Sequence, residues 1–173
     1  MTDWPAIVRD YGPLVWRAAY RLVGNDADAA DCFQQSFLAA VELSQNASVR
    51  HWPAVLRRLA TARALDRLRR RTRSRNRFAP LPDAAVDRRI GDPFDRLAGG
   101  ELADALRFAL SEIDETRAAA FCLVALDDLS YPEAADALGV TPNHVGVLVH
   151  RARAELRSRL RAFAPARAEG DVP

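Results

Sequence analysis

Apolar residues recur along this chain at three- and four-residue spacings, the period of an amphipathic helix, and no stretch alternates as a strand would. The pattern predicts an all-α protein. The pair Gly12-Pro13 predicts a break between an opening helix and a second one over Leu14–Val23. Gly24-Asn25 ends that helix, and Asn25 or Asp26 can cap the next. Residues 26–43 then set Ala29, Phe33, Phe37, Ala40 and Leu43 on one stripe. The polar stretch 44–51 reads as a loop. Trp52-Pro53 restarts a helix, with proline in the first turn where its missing N–H costs nothing. Val55, Leu59, Ala62, Leu65 and Leu68 share one face of it, and it runs into an arginine-rich stretch ending near Arg77.

Pro80, Pro82 and Pro93, followed by Gly99-Gly100, give residues 79–99 linker composition, with a short helix expected around 93–97. Beyond it, Ser130 and Glu133 have capping-box spacing, Gly139 is placed to end a short helix, and Thr141-Pro142 to start a long one. Val145, Leu148, Ala152, Leu156, Leu160 and Phe163 form the apolar stripe of that last helix. The expectation is two small helical domains joined by a flexible linker. They are 1–78 and 100–163, with linker 79–99 and a disordered tail 164–173.

Composition narrows the class. Apolar residues make up 49% and charged residues 28%, as in an ordinary globular protein. No run of eighteen apolar residues is present to span a membrane, and the first residues lack the basic and apolar regions of a secretion signal. A cytoplasmic location is therefore expected, with Cys32 and Cys122 as buried reduced thiols. The net charge of +2 conceals a strong asymmetry. All 25 basic residues are Arg; residues 50–78 hold 11 of them against one acid, and residues 100–149 hold nine acids against two Arg. Separate binding faces follow, one of them suited to a polyanion.

The sharpest local pattern is residues 131–156, a short helix, a glycine turn and a longer amphipathic helix, the outline of a helix-turn-helix. A plain helical hairpin with a polar outer face is the simpler reading of the same pattern. In a helix-turn-helix the second helix presents its N-terminal turn to the DNA major groove. Thr141, Asn143, His144, Gly146, Val147, His150 and Arg151 would line that side. Asn pairs with adenine edges, Arg with guanine edges or phosphate, and Val packs on a thymine methyl. The arginine run can neutralise phosphates and release counterions, which supplies affinity without sequence information. No Gly-rich phosphate loop, nucleophile elbow or His-Glu-x-x-His is present, and no Cys or carboxylate joins His144 and His150 at ligand spacing. The expectation is a binding protein, not an enzyme, with no metal and no cofactor.

Three segments carry a family resemblance. Ala29-Ala30-Asp31-Cys32-Phe33-Gln34-Gln35-Ser36-Phe37 resembles the Ala-Glu-Asp-Leu-Val-Gln-Glu-x-Phe motif of the extracytoplasmic-function (ECF) sigma factors of the sigma-70 superfamily. Residues 58–70 resemble their Arg-Ile-Ala-x-Asn-x-Ala-Leu-Asp-x-x-Arg-Arg stretch. Leu129, Ser130, Tyr131, Glu133, Ala134, Ala135, Leu138 and Gly139, then Val145, Arg151, Ala152 and Arg153, resemble their C-terminal helix-turn-helix. The chain departs from the family pattern at Ala30, Gln35 and Ala62.

The resemblance implies a sigma region 2-like bundle and a region 4-like helix-turn-helix. It implies a promoter-specificity subunit that binds the clamp helices and flap of the bacterial RNA polymerase core and has no catalysis of its own. Asp31, Gln34, Gln35 and Phe37 would dock on the polymerase. Asn46, Ser48, Arg50, Trp52, Arg58, Arg63, Arg67, Arg70 and Arg71 would meet the minus-ten element and its melted non-template strand. The second-helix residues named above would read the minus-thirty-five duplex. An anti-sigma partner is left open. The rival reading is a stand-alone helix-turn-helix regulator that does not dock on polymerase.

Overall fold

The computed structural model describes residues 2–77 and 100–161. The expected linker, the short helix near 93–97, Phe163 and the tail lie outside the described residues. Lobe one consists of α1 (Trp4–Val23), α2 (Asp26–Asn46) and α3 (Trp52–Arg77). Lobe two consists of α4 (Glu101–Glu112), α5 (Glu115–Phe121), a π-helical turn (Cys122–Leu126), α6 (Tyr131–Leu138) and α7 (Pro142–Arg159). No strand occurs among the described residues.

Local chemistry sets most of the ends. The Asp3 carboxylate accepts from the Ala6 N–H at 3.1 Å and starts α1. Asn25 caps α2 by accepting from the Asp28 N–H at 2.9 Å, and Asp26 and Asp28 face the positive end of its dipole. Asp114 caps α5, and Thr141 caps α7 at 3.2 Å from the His144 N–H. At α6 the capping box is complete: Ser130 and Glu133 bond each other's backbone N–H groups.

Two predicted boundaries move. The break at Gly12-Pro13 is absent, and α1 runs unbroken through Pro13. Pro13 lies on the exposed side, where water can serve the carbonyl it leaves unpaired. Gly12 removes the Cβ that a following proline ring would crowd, and its bare face packs on the Phe33 ring. The loop expected from residue 44 begins only after Asn46. The Ser44 hydroxyl donates to the Val41 carbonyl at 2.7 Å and the Asn46 amide to the Glu42 carbonyl at 3.1 Å, which holds the last turn of α2.

The two lobes share a core. One cluster joins Leu22, Val23, Ala29, Cys32, Ala64, Leu65 and Leu68 of lobe one to Ala109, Leu110, Ile113, Ala118, Cys122, Ala152 and Leu156 of lobe two. A second sets Ala54 of α3 among Leu123, Leu129, Ala134, Ala135, Val145 and Leu148. A third, within lobe one, holds Ile7, Val15, Phe37, Ala40, Leu56 and Ala60. Helix α3 contributes to all three, so it buries several faces where the sequence pattern gave one. Leu56, Ala60 and Ala64 are fully buried, whereas the predicted Val55, Leu59 and Ala62 are half-buried.

Polar contacts finish the seam. The Ser111 hydroxyl donates to the Phe108 carbonyl at 2.7 Å, so in its 2.9 Å pairing with Thr72 it acts as acceptor. Arg69 reaches the Ile113 carbonyl and the Glu115 carboxylate. The C-terminal carbonyls of α1 are taken by arginines of other elements. Arg107 of α4 donates to Arg21 O at 3.1 Å, and Arg71 of α3 to Val23 O at 3.1 Å. Gly24, at φ 75°, makes this possible: a Cβ there would lie 3.0 Å from the Arg107 guanidinium carbon.

Gly139 has a similar φ of 68° but open space around it. Gly139→Ala should therefore cost only the left-handed strain, about 1–2 kcal/mol. Gly24→Ala should cost more by about 1.5–3 kcal/mol, because it also displaces a charged hydrogen bond. Urea unfolding of both variants measures the difference; equal losses would remove Arg107 from the account.

Candidate functional site

The exposed face of α7 is the first surface. Ser130, the capping box and the Gly139 turn fix α6, and the Thr141 cap fixes the start of α7. Val145, Leu148, Val149 and Ala152 are buried against lobe two, which turns Asn143, His144, Val147, His150 and Arg151 outward. The predicted reading face is therefore gathered on one side. Thr141 is exposed, and its hydroxyl oxygen is engaged in the cap. Gly146 is half-buried beneath the Tyr131 ring, whose Cε2 would lie 3.3 Å from a Cβ at that position. The exposed Tyr131 thus leans onto α7 and joins the face. Sequence reasoning missed it because nothing local links the start of one helix to the middle of the next.

The second surface is on α2. Asp31, Gln34 and Gln35 are exposed along one stripe, as predicted for a docking face. Phe37 is not on it. Its ring is buried in the lobe-one core, 4.9 Å from the Phe33 ring, because the apolar stripe of α2 turns inward against α1 and α3. The apolar residue this surface does present is Leu38, 65% exposed and one turn beyond Gln34 and Gln35. The alternation of apolar positions counted Leu38 with neither face, so it went unnoticed.

The third surface is the loop 47–51 with α3. Ser48 and Arg50 are exposed, and Asn46 is exposed at the end of α2 instead of within the loop. Trp52 packs edge-on against Trp4 at 5.2 Å, which makes it a lid on the lobe-one core. The α3 arginines are differently employed. Arg63 is exposed. Arg67 is shared between Asp28 and Asp31, the latter at 3.2 Å. Arg70 pairs with Asp66 one turn back at 2.8 Å, and Arg71 lies 3.8 Å from Asp28. Arg58 is half-buried, with its pKa lowered by that burial. Burial pushes the Asp28 carboxyl up, but hydrogen bonds from Arg67 and Asn25 and the charges of Arg67 and Arg71 outweigh it, leaving the pKa below its ordinary value.

The strongest electrostatic feature sits between the lobes. Arg21 of α1 donates to the Leu126 carbonyl and lies 3.3 Å from Asp127, with both side chains about nine-tenths buried. The π-turn makes this geometry: the Asp127 N–H closes onto the Cys122 carbonyl, and the wider turn aims Leu126 O and Asp127 back at α1. Burial outweighs the attraction of Arg21 and Arg57 and, with Asp128 alongside, raises the Asp127 pKa to about 6. Burial likewise raises the thiol of Cys32 to about 11 and that of Cys122 further still. Both cysteines are free and buried. Among the described residues, no group of His, Cys, Asp and Glu is arranged to hold a metal, and no helix is long and apolar enough to cross a membrane.

Comparison with known proteins gives two family matches: Sigma-70 region 2 over residues 7–74 and Sigma-70 region 4 over residues 103–156. An ECF RNA polymerase sigma factor, SigE of Mycolicibacterium smegmatis, is 33% identical over 92% of this chain; the chain spans 62% of that relative's length. SigW of Bacillus subtilis, also an ECF RNA polymerase sigma factor, is 24% identical over 90% of this chain and 87% of its own. Two solved structures share the fold. The sigma factor RpoE in complex with the anti-sigma factor NepR from Bartonella quintana has a TM-score of 0.57 at 20% identity, covering 93% of this chain and 98% of that one. CnrH in complex with the cytosolic domain of CnrY has 0.58 at 24%, covering 92% and 88%.

The raised Asp127 pKa carries a pH dependence. The folded chain takes up a proton here near pH 6, and the unfolded chain only near pH 4. The stabilisation is thus full at acid pH and lost as pH rises through 6. Asp127→Asn lacks this component. The stability of the native chain relative to the variant should grow by about 1 kcal/mol from pH 7.5 to 5 in chemical denaturation. A difference that stays flat would show that Asp127 titrates normally.

Proposed function

The chain belongs to the extracytoplasmic-function group of the sigma-70 family, and from that membership we propose that it is a promoter-specificity subunit of bacterial RNA polymerase. The observation that carries this reading is the pairing of two surfaces on one chain. One is a fully capped helix-turn-helix with an outward polar face on α7; the other is a polar stripe on α2 with one apolar anchor.

The division of labour follows from side-chain chemistry. Asn143, His144, His150 and Arg151 supply donors and acceptors to base edges of the minus-thirty-five duplex, and Val147 an apolar contact. Tyr131 adds a hydroxyl beside them. On lobe one, Asp31, Gln34, Gln35 and Leu38 dock on the clamp helices of the polymerase core, Leu38 replacing Phe37 as the apolar anchor. Ser48 and Arg50 in the loop meet the minus-ten non-template strand as it opens, where an unstacked base needs new hydrogen bonds and stacking. The arginines of α3 hold phosphates of the same strand. The chain supplies position and binding energy; the chemistry of RNA synthesis belongs to the polymerase. An anti-sigma factor is a natural regulator of such a chain, as RpoE was solved in complex with the anti-sigma factor NepR.

Co-elution with sigma-free core polymerase tests the reading. The native chain should co-elute, and Gln34→Ala/Leu38→Ala, both surface changes, should abolish it with unchanged circular dichroism. Duplex binding without co-elution would instead mark a stand-alone regulator. Arg151→Ala should weaken binding to a minus-thirty-five duplex by about 1–3 kcal/mol and relax selection at one base pair. An unaltered affinity and selectivity in a competition titration would remove Arg151 from the reading face.

A further inference from the structure

We infer that Tyr131, Gly146 and Val147 form a site for the C5 methyl group of a thymine at the centre of the α7 face, and that Gly146 makes the site by leaving room for the Tyr131 ring. The inference rests on the promoter-subunit reading and deepens it, because it names the feature of a base pair that this chain selects.

The hydrogen-bonding side chains of α7 stand toward the two ends of its outward side. Asn143 and His144 are exposed in the first turn, His150 and Arg151 about two turns further on. Between them the outward side carries Gly146 and Val147, which have no side-chain donor or acceptor. The backbone groups at that depth are spent within the helix. A base pair opposite this centre is offered no hydrogen bond by the residues beneath it.

What the centre does offer is apolar surface. Val147 is 38% exposed and Tyr131 41% exposed. Tyr131 reaches α7 from the first position of α6. Its Cε2 would lie 3.3 Å and its Cδ2 3.8 Å from a Cβ on Gly146, so the ring edge rests on bare helix. Glycine inside a helix is destabilising, and Gly146 is the one glycine in Pro142–Arg159. Its place under the ring accounts for it. The base of the ring is firmly held. The Ser130 N–H donates to the Glu133 carboxylate at 2.8 Å, and Ala134 and Ala135 share one cluster with Val145 and Val149. The ring edge and the Val147 side chain thus occupy neighbouring positions on one rigid surface.

In the major groove thymine presents a methyl group where the other bases present only donors, acceptors or C–H. An apolar centre suits that methyl. It disfavours G·C pairs, whose polar edge groups would lose water there without gaining a partner. The patch is small and bordered by Asn143, His150 and Arg151, which suit base edges and phosphate; a protein interface has a wider apolar core.

Replacing thymine by uracil tests this, since uracil keeps the O4 acceptor and the base pairing and lacks only the methyl. The native chain, assembled with sigma-free core polymerase, first selects duplexes randomised over the minus-thirty-five region. Each thymine of the selected element is then replaced in turn by deoxyuridine. Uracil at one thymine, or at two adjacent ones, should weaken binding about fourfold, the worth of one buried methyl. Cytosine at that position should bind poorly and 5-methylcytosine about fourfold better, because the methyl is the same. Val147→Ala and Tyr131→Ala should bring the thymine-to-uracil ratio close to one, Gly146→Ala should lower it by displacing the ring, and Tyr131→Phe should keep it. A duplex selected without thymine, or uracil without effect at every thymine, would overturn the inference. So would a ratio that survives in both Val147→Ala and Tyr131→Ala. Loss of core-polymerase assembly in those variants, with uracil silent, would give the patch to a protein partner and overturn it too. If the native chain neither assembles with core polymerase nor selects a duplex, it is the promoter-subunit reading that falls.

Discussion

Helix α3 is the element on which the rest of the structure leans. It is the most basic of the described helices and at the same time contributes to each of the three apolar clusters. Charge and burial coexist because alanines and leucines occupy its inward sides while arginines project between them, their stems lying along the apolar surface. Eleven arginines in one short region would repel one another in isolation. The fold answers with acids from two directions. Asp28 and Asp31 of α2 come from one side, Glu115 and Asp127 of lobe two from the other. The acidic character of residues 100–149 is thereby partly consumed within the molecule.

The same helix explains why the lobes do not behave as independent beads in this structure. Cys122, Leu110 and Leu156 of lobe two lie in one cluster with Leu22 and Leu65 of lobe one, so the apolar interior is continuous across the boundary between the two family regions. The polar pairs around it are of unequal strength. The Arg21–Asp127 pair is buried and backed by a carbonyl, whereas the Arg69–Glu115 pair is long, at 3.9 Å, and its acid largely exposed.

What the sequence made legible was whatever depends on neighbours along the chain. The caps at Asn25, the Ser130–Glu133 pair and Thr141, and the stops at Gly24 and Gly139, are all present, because a cap needs only the next turn. The outward polar face of α7 was legible for the same reason: its apolar stripe fixes which side is left over. Features that need a distant partner were misplaced. Pro13 breaks a helix unless its exposed side faces water and Gly12 precedes it. Phe37 suits a docking anchor until Phe33 and α1 claim it for the core. Trp52 suits base stacking until Trp4 meets it. The inward faces of α3 exceed one stripe because lobe two packs on a second side, a fact no window of eighteen residues contains.

Apart from His51 beside Glu133, the cations on the lobe-one side of the seam are arginines, and the 173 residues contain no lysine. A guanidinium keeps its charge at any pH a cell reaches, and it offers no amine for acetylation to neutralise. The arginine share of the contact between the lobes is therefore constant. Adjustment falls to its other ionic groups, among them the carboxylate at the π-turn, so protons can act on this interface where an acetyltransferase has nothing to hold.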